Sequence, residues 1–339
     1  MSEVQTNQTN KNEASSSKKE ALPSRKGTSP SRKEASPSKK EASPSRGEVS
    51  PSKKQKKSFV PCLLILISVL FFLIMLVFPL FSVIYRALKD GWELYISALT
   101  AEYTLSALKV TLIAAAIAVL VDTFFGLCAA WLLTKFTFKG KKVLSTLIDI
   151  PFSISPVIAG LAFIMTFGRM GWATPLIDWL NGIFGTDVSL VFSVPGVVLA
   201  TIFVTFPYVS RELIPVMQAQ GSDEEEAAAL MGASGFTIFR KITFPHIKWA
   251  LLYGIIMCAA RAFGEFGAVY AVSKTRGETF TLPLEIDALY MSGSADSITM
   301  AFAVSSLLVL MAIIMLVLKQ IVEYREKRRL ANLKDKATE

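Results

Sequence analysis

Histidine occurs once in this sequence, as His246, and cysteine three times, as Cys62, Cys128 and Cys258. With no C-x-x-C pair and no group of histidines, nothing resembles a zinc or haem site, and no metal or cofactor is expected. The three cysteines fall inside apolar runs and read as small buried hydrophobes. A phosphate-binding loop of the form G-x-x-x-x-G-K-[ST] is missing as well: Gly140-Lys141-Lys142 lacks the first glycine and the hydroxyl. The chain therefore carries no nucleotide-hydrolysing motif of its own. Charge is also scarce, at 19% of residues, and sits almost wholly between the apolar runs.

What is abundant is hydrocarbon. Of the 339 residues 52% are hydrophobic, gathered into runs of the length that crosses about 30 Å of lipid, roughly 20 residues. The net charge of +9 is unevenly placed. Residues 1–57 hold 14 Lys and Arg against 6 Glu, so the basic character belongs to this tail and the body is almost neutral. The tail repeats every seven residues, from Ser29-Pro30-Ser31-Arg32-Lys33-Glu34-Ala35 onward, with copies from Ser36 and Ser43 and part of one from Ser50. Proline in every copy and the lack of an apolar seam exclude a coiled coil. The composition predicts disorder, and the lysines at 53, 54, 56 and 57 beside the first apolar run suit weak contact with anionic lipid. Nucleic acid is not an expected partner of a membrane-tethered tail. A secretory signal is excluded by the long basic stretch, the long apolar run and the missing cleavage site.

Six apolar runs follow: about Phe59–Tyr85, Leu105–Leu133, Val143–Phe167, Pro195–Met217, Trp249–Val272 and Ile298–Val322. The fold class expected is all-α, a polytopic membrane protein with six transmembrane helices. Residues 58–104 would form the first span and an outer loop, 105–322 the transmembrane domain with an inserted segment at 221–245, and 323–339 a basic tail. Lys135, Lys139, Lys141 and Lys142 fill one connection; Arg240, Lys241 and Lys248 lie in another; Arg325, Lys327, Arg328 and Arg329 follow the last run. The alternate connections carry Asp90, Glu93 and Glu102, then Asp178 and Asp187, then Glu278, Glu285, Asp287 and Asp296. The excess of Lys and Arg on one set puts it, and both termini, in the cytoplasm. Trp92, Trp172 and Trp179 fall where interfacial anchors would.

The connection between the fourth and fifth runs is the most informative stretch. Ser222 or Asp223 caps a helix whose acidic first turn suits the positive end of the helix dipole, and Gly232 ends it. On chemistry alone this reads as an ordinary helix–turn–helix between spans. Glu226, Ala227, Ala228, Gly232, Ile242 and Pro245, at their observed spacing, resemble the EAA signature of binding-protein-dependent importer permeases. Phe244 stands where that signature has Leu, one apolar residue for another. The resemblance implies a type I ABC importer permease fold and a coupling helix that seats on a separate ATPase. It implies a transporter subunit and not an enzyme, with ATP hydrolysis supplied by the partner and the cargo carried by alternating access.

Three further stretches, Asp149–Gly160, Arg211–Met217 and Ala260–Val269, with Arg276-Gly277-Glu278-Thr279 and Leu282-Pro283-Leu284, resemble the CysW-type sulfate/thiosulfate permeases. The likeness spans about residues 60–325. It implies a CysA-like cytoplasmic ATPase, a CysT-like second permease, an extracytoplasmic sulfate-binding protein and a place in a bacterial cytoplasmic membrane. Molybdate or another oxyanion is the alternative cargo, and an ion-driven secondary transporter the alternative machine; the latter would leave the coupling signature without a role.

Ionisable groups at membrane depth are costly and are usually paired or functional. Arg261 and Glu265 stand four apart in the fifth run, beside Gly264 and Gly267. They fit either a self-neutralising pair or a pathway contact for an anion. Asp122, alone in the second run, reads as a structural hydrogen-bonding partner, because an anionic cargo would be repelled. In the third run Ser153 and Ser155 lie between Pro151 and Pro156, which fits a kinked packing helix or a pathway lining. The pathway candidates are thus Ser153, Ser155, Pro156, Arg261 and Glu265. His246 reads as incidental.

Overall fold

The computed structural model describes residues 59–185 and 189–338. The repeat tail and Asp187 lie outside them. Every regular element among the described residues is helical.

The first run builds α1 (Phe59–Phe72), a π-turn (Leu73–Val77) and α2 (Phe78–Leu88), with Pro79 in the first turn of α2, where a missing N–H costs nothing. Within Leu63–Leu88 its most apolar stretch has no buried residue, and Ala87 near the end is the buried exception, so this span offers its flanks to lipid or to another chain. Only its far end is anchored: Arg86 lies 5.3 Å from the Phe302 ring centre, and Thr299 bonds Asp90. The short α3 (Trp92–Thr100) then leads into α4 (Glu102–Lys135).

α4 lays a row of small residues, Ala107, Ala114, Ala118, Gly126 and Ala130, against its neighbours. Small side chains let backbones approach closely, which is how helices pack where no hydrophobic effect drives them together. A Cβ on Gly126 would stand 2.9 Å from Val209 Cβ of α8 (Val194–Gln220). Asp122 is fully buried at the junction of α4, α8 and α11 (Phe244–Phe263). There its Oδ2 accepts from Thr205 Oγ1 at 2.5 Å and Cys258 Sγ at 3.4 Å. Cys258 is buried as expected, whereas Cys128 is exposed on the outer face of α4. An apolar run alone does not distinguish a lipid-facing position from a protein-facing one.

The third run is where expectation and structure part. In place of one kinked span there are two helices, α5 (Lys141–Ser153) and α6 (Pro156–Phe167), bent by 108°. Pro151 is tolerated inside α5, but Pro156 disfavours helical geometry at the residue before it. Ser155 is accordingly extended, at φ −59° and ψ 131°, as is Ile154. α7 (Thr174–Phe184) precedes α8.

Between α8 and α11 come α9 (Asp223–Leu230), α10 (Gly235–Ile238) and a π-turn (Phe239–Thr243). The fifth run also breaks early. α11 stops at Phe263, and α12 (Gly267–Val272) is separate, so the helix expected to continue to Val272 does not. α13 (Leu282–Met291) and α14 (Ala295–Thr338) complete the chain, and residues 323–338 prolong the last helix. Among the described residues five helical stretches are long and apolar enough to span a membrane, or six if the bent α5–α6 pair is counted as one span.

Candidate coupling segment and broken spans

α9 opens with Asp223, Glu224, Glu225 and Glu226 in its first turn, where the unpaired N–H groups favour negative charge. Ser222 is the N-cap residue, but its hydroxyl donates to Glu226 Oε1 at 2.6 Å and does not accept from a backbone N–H. The helix closes on Gly232, at φ +84°, a conformation in which a Cβ is strained. The N–H groups of Gly232 and Ala233 reach back to the carbonyls of Ala229 and Ala228, each at 3.0 Å, which satisfies the end of the helix. No atom lies within 4 Å of where a Gly232 side chain would start, so backbone angle alone explains the glycine.

The six signature residues divide by exposure. Ala228 is buried, Ile242 and Pro245 are partly covered, and Glu226, Ala227 and Gly232 face outward. Beside them Leu230 is 91% and Met231 82% exposed, with Phe236 at 74%. Apolar side chains gathered at this exposure mark an interaction surface.

Sequence reasoning missed the attachment of α9 to the bundle. Glu225, next to the signature glutamate, takes Lys135 Nζ at 3.0 Å and Thr243 Oγ1 at 2.7 Å on Oε1. Lys135 also donates to the Gly221 carbonyl at 2.5 Å. The end of α4, the start of α9 and the π-turn before α11 are thereby tied together. His246 joins the same end of the bundle through Gln220 Nε2 at 3.0 Å. Only the acidic run hinted at this role, and it names no particular carboxylate.

The second constellation joins the two broken spans. Arg261 Nη2 meets Glu265 Oε2 at 2.5 Å, yet Glu265 lies past the end of α11, so the pair is not a pair along one helix. Glu265 is buried, and its Oε1 accepts the Ala268 N–H at 2.8 Å, capping α12. α12 then packs on α6. A Cβ on Gly267 would meet Pro156 Cβ at 2.9 Å, and one on Gly160 would meet the Ala268 carbonyl oxygen at 2.5 Å. The structure thus brings Pro156, Glu265 and, through the ion pair, Arg261 to one junction. Ser153 and Ser155 are exposed at the turn between α5 and α6. At another end of the bundle Arg276 grips buried Glu285 with two N–H donors, at 2.9 and 2.5 Å, and lies 4.7 Å from the Tyr103 ring centre.

Residues 122–329 match the family described as binding-protein-dependent transport system inner membrane component. The sulfate transport system permease protein CysW of Escherichia coli (strain K12) is 46% identical over 251 residues, which is 74% of this chain and 83% of that protein. CysW of Synechocystis is 42% identical over 264 residues, 78% of this chain and 92% of that protein. Among solved structures, a bacterial alginate ABC transporter matches with a TM-score of 0.65 at 18% identity, covering 80% of this chain and 94% of that one, a likeness of fold. Bent spans, an outward-facing α9 closed by Gly232 and the matched signature agree with these relationships: the chain belongs to the binding-protein-dependent transport system inner membrane component family, as a CysW-type permease subunit of an ABC importer.

Proposed function

We propose that this permease conducts sulfate and thiosulfate, as half of a pathway completed by a second, CysT-like permease. An external sulfate-binding protein delivers the cargo and a CysA-like ATPase drives the cycle. The observation that carries the coupling role is α9 itself: an apolar edge of Leu230 and Met231 left uncovered, on a helix whose first turn is bonded to the bundle through Glu225. A rigidly attached helix with a free apolar edge transmits a push, whereas a loose one absorbs it. The signature residues Glu226, Ala227, Ala228, Gly232, Ile242 and Pro245 form or support that docking element. The names of the CysW relatives support the cargo.

The basic connection at Lys135 and the α9 segment share one end of the bundle, which supports placing that end in the cytoplasm. An even span count then puts both termini there, in a bacterial cytoplasmic membrane. Ser153, Ser155, Pro156, Arg261 and Glu265 are the proposed pathway residues. Breaks in spans free backbone groups that remain acceptable only where they are buried in protein or line a cavity. Contacts along such a route must be weak, so tight recognition is left to the binding protein.

The test is reconstitution in liposomes with the ATPase, second permease and binding protein, followed by uptake of labelled sulfate. Uptake that requires ATP and the complete set is expected. Uptake by this chain without the ATPase would overturn the reading in favour of an ion-driven transporter.

A further inference from the structure

Arg211 lies nine residues before the end of α8, so it stands about 14 Å along the helix from the end that carries α9. It is half exposed, although α8 is the most enclosed long helix among the described residues. An arginine at that depth is too costly to leave facing lipid. The exposed face around it is continuous: Arg211, Pro215 and Gln218, at i, i+4 and i+7, point the same way, while Val209, Leu213 and Met217 are buried.

The guanidinium is only partly engaged. Its Nε donates to Asp149 Oδ1 of α5 at 2.8 Å, and its carbon stands 4.2 Å from the Phe152 ring centre. Among the described residues this single N–H is the one that Asp149 takes, out of the five that a guanidinium carries. Asp149 is itself 41% exposed and therefore replaceable at little desolvation cost. Beside the pair is a cavity of about 220 Å³ lined by Ser145, Asp149, Arg211 and Ile214. It shares Leu133, Ser145 and Ile214 with a second cavity of about 590 Å³, whose wall adds Lys141, Lys142 and Gln218. Across the two linings stand three cations, Arg211, Lys141 and Lys142, and one carboxylate, Asp149.

We propose that Arg211 is a transient binding contact for a tetrahedral dianionic oxyanion leaving toward the α9 end, with Asp149 as the built-in counter-ion that the passing anion displaces. A flat guanidinium offers two parallel N–H donors to an oxyanion, which outcompetes the single Nε contact that holds Asp149. The return of Asp149 then competes the cargo off, so the site holds the anion only briefly. Phe152 fixes the plane of the guanidinium during the exchange. This inference rests on the oxyanion-import reading and adds an exit contact to it.

The complete transporter in liposomes separates the two. Labelled sulfate transport is followed while unlabelled sulfate is titrated on the ATPase side, with chloride at equal ionic strength as control. For Asp149→Asn, half-inhibition by sulfate on that side is expected at about tenfold lower concentration, because the competitor for the guanidinium is gone. For Arg211→Gln it moves to higher concentration and transport slows, and Arg211→Lys falls between the two. Half-inhibition at one concentration in all three variants and the parent would overturn the role of Arg211 while leaving the import reading standing. Equal slowing of Asp149→Asn and Arg211→Gln without any shift would also overturn it, since that is what a purely structural pair does. A parent complex that moves no sulfate overturns both.

Discussion

The Lys135 ammonium and the Glu225 carboxylate lie 3.0 Å apart, both largely screened from solvent, and join the last turn of α4 to the first turn of α9. This contact makes α9, the proposed coupling helix, part of the helix bundle and not a decoration on a loop. Removing one member leaves the other charge shielded and unpaired, which is costlier than losing an exposed pair. We predict that Lys135→Met or Glu225→Gln lowers the sulfate moved per ATP hydrolysed in the reconstituted transporter. The charge-reversed double variant, Lys135→Glu with Glu225→Lys, should recover part of it. Unchanged coupling in both single variants would show that α9 is held by other means.

Gly232 is required for its backbone angle and not for space. Gly232→Ala should cost about 1 kcal/mol of local stability and a β-branched residue more, whereas asparagine, which tolerates the left-handed region, is the mildest replacement. Co-purification with the ATPase is therefore expected to decline in the order parent, Gly232→Asn, Gly232→Ala, Gly232→Val. Retention of the ATPase by Gly232→Val at the parent level would count against the docking role of this segment.

The contact between α6 and α12 depends on two missing side chains. Gly160→Val would drive its Cβ into the Ala268 carbonyl and Ala271, and a rigid junction yields only with strain of about 1–3 kcal/mol. Heating the detergent-solubilised protein and measuring the fraction still monodisperse should reveal an earlier transition. Gly182→Ala, with nothing within 4 Å of the new carbon, serves as the matched control. Equal transitions for the two would mean that the junction has slack.

Arg276 holds Glu285, of which almost nothing is exposed, and that hydrogen bonding pushes the pKa of the arginine still higher, so it stays charged at any working pH. Arg276→Ala leaves a buried carboxylate without its partner and should destabilise the fold by about 2 kcal/mol. Arg276→Lys, a point charge without the two-pronged geometry, should recover only part of the loss. The same heating assay reads both, and a fully stable Arg276→Ala variant would refute the assignment.

Much of this protein is legible along the chain because the membrane imposes a local requirement. Each span must be about 20 apolar residues long, so the number and approximate bounds of the apolar runs can be read from the sequence alone. The α9 segment is legible for a related reason: an acidic first turn and a left-handed glycine are properties of neighbouring residues. Only tertiary structure decided the remainder. An unbroken apolar run does not disclose the 108° turn between α5 and α6, because the same prolines serve a mild kink when the neighbouring helix lets the span run straight. Four consecutive acids do not say that Glu225 faces Lys135 while Glu226 faces outward; helix rotation sets that. Nor does sequence put Asp149 beside Arg211, 62 positions later, since their meeting depends on how two helices from different spans pack.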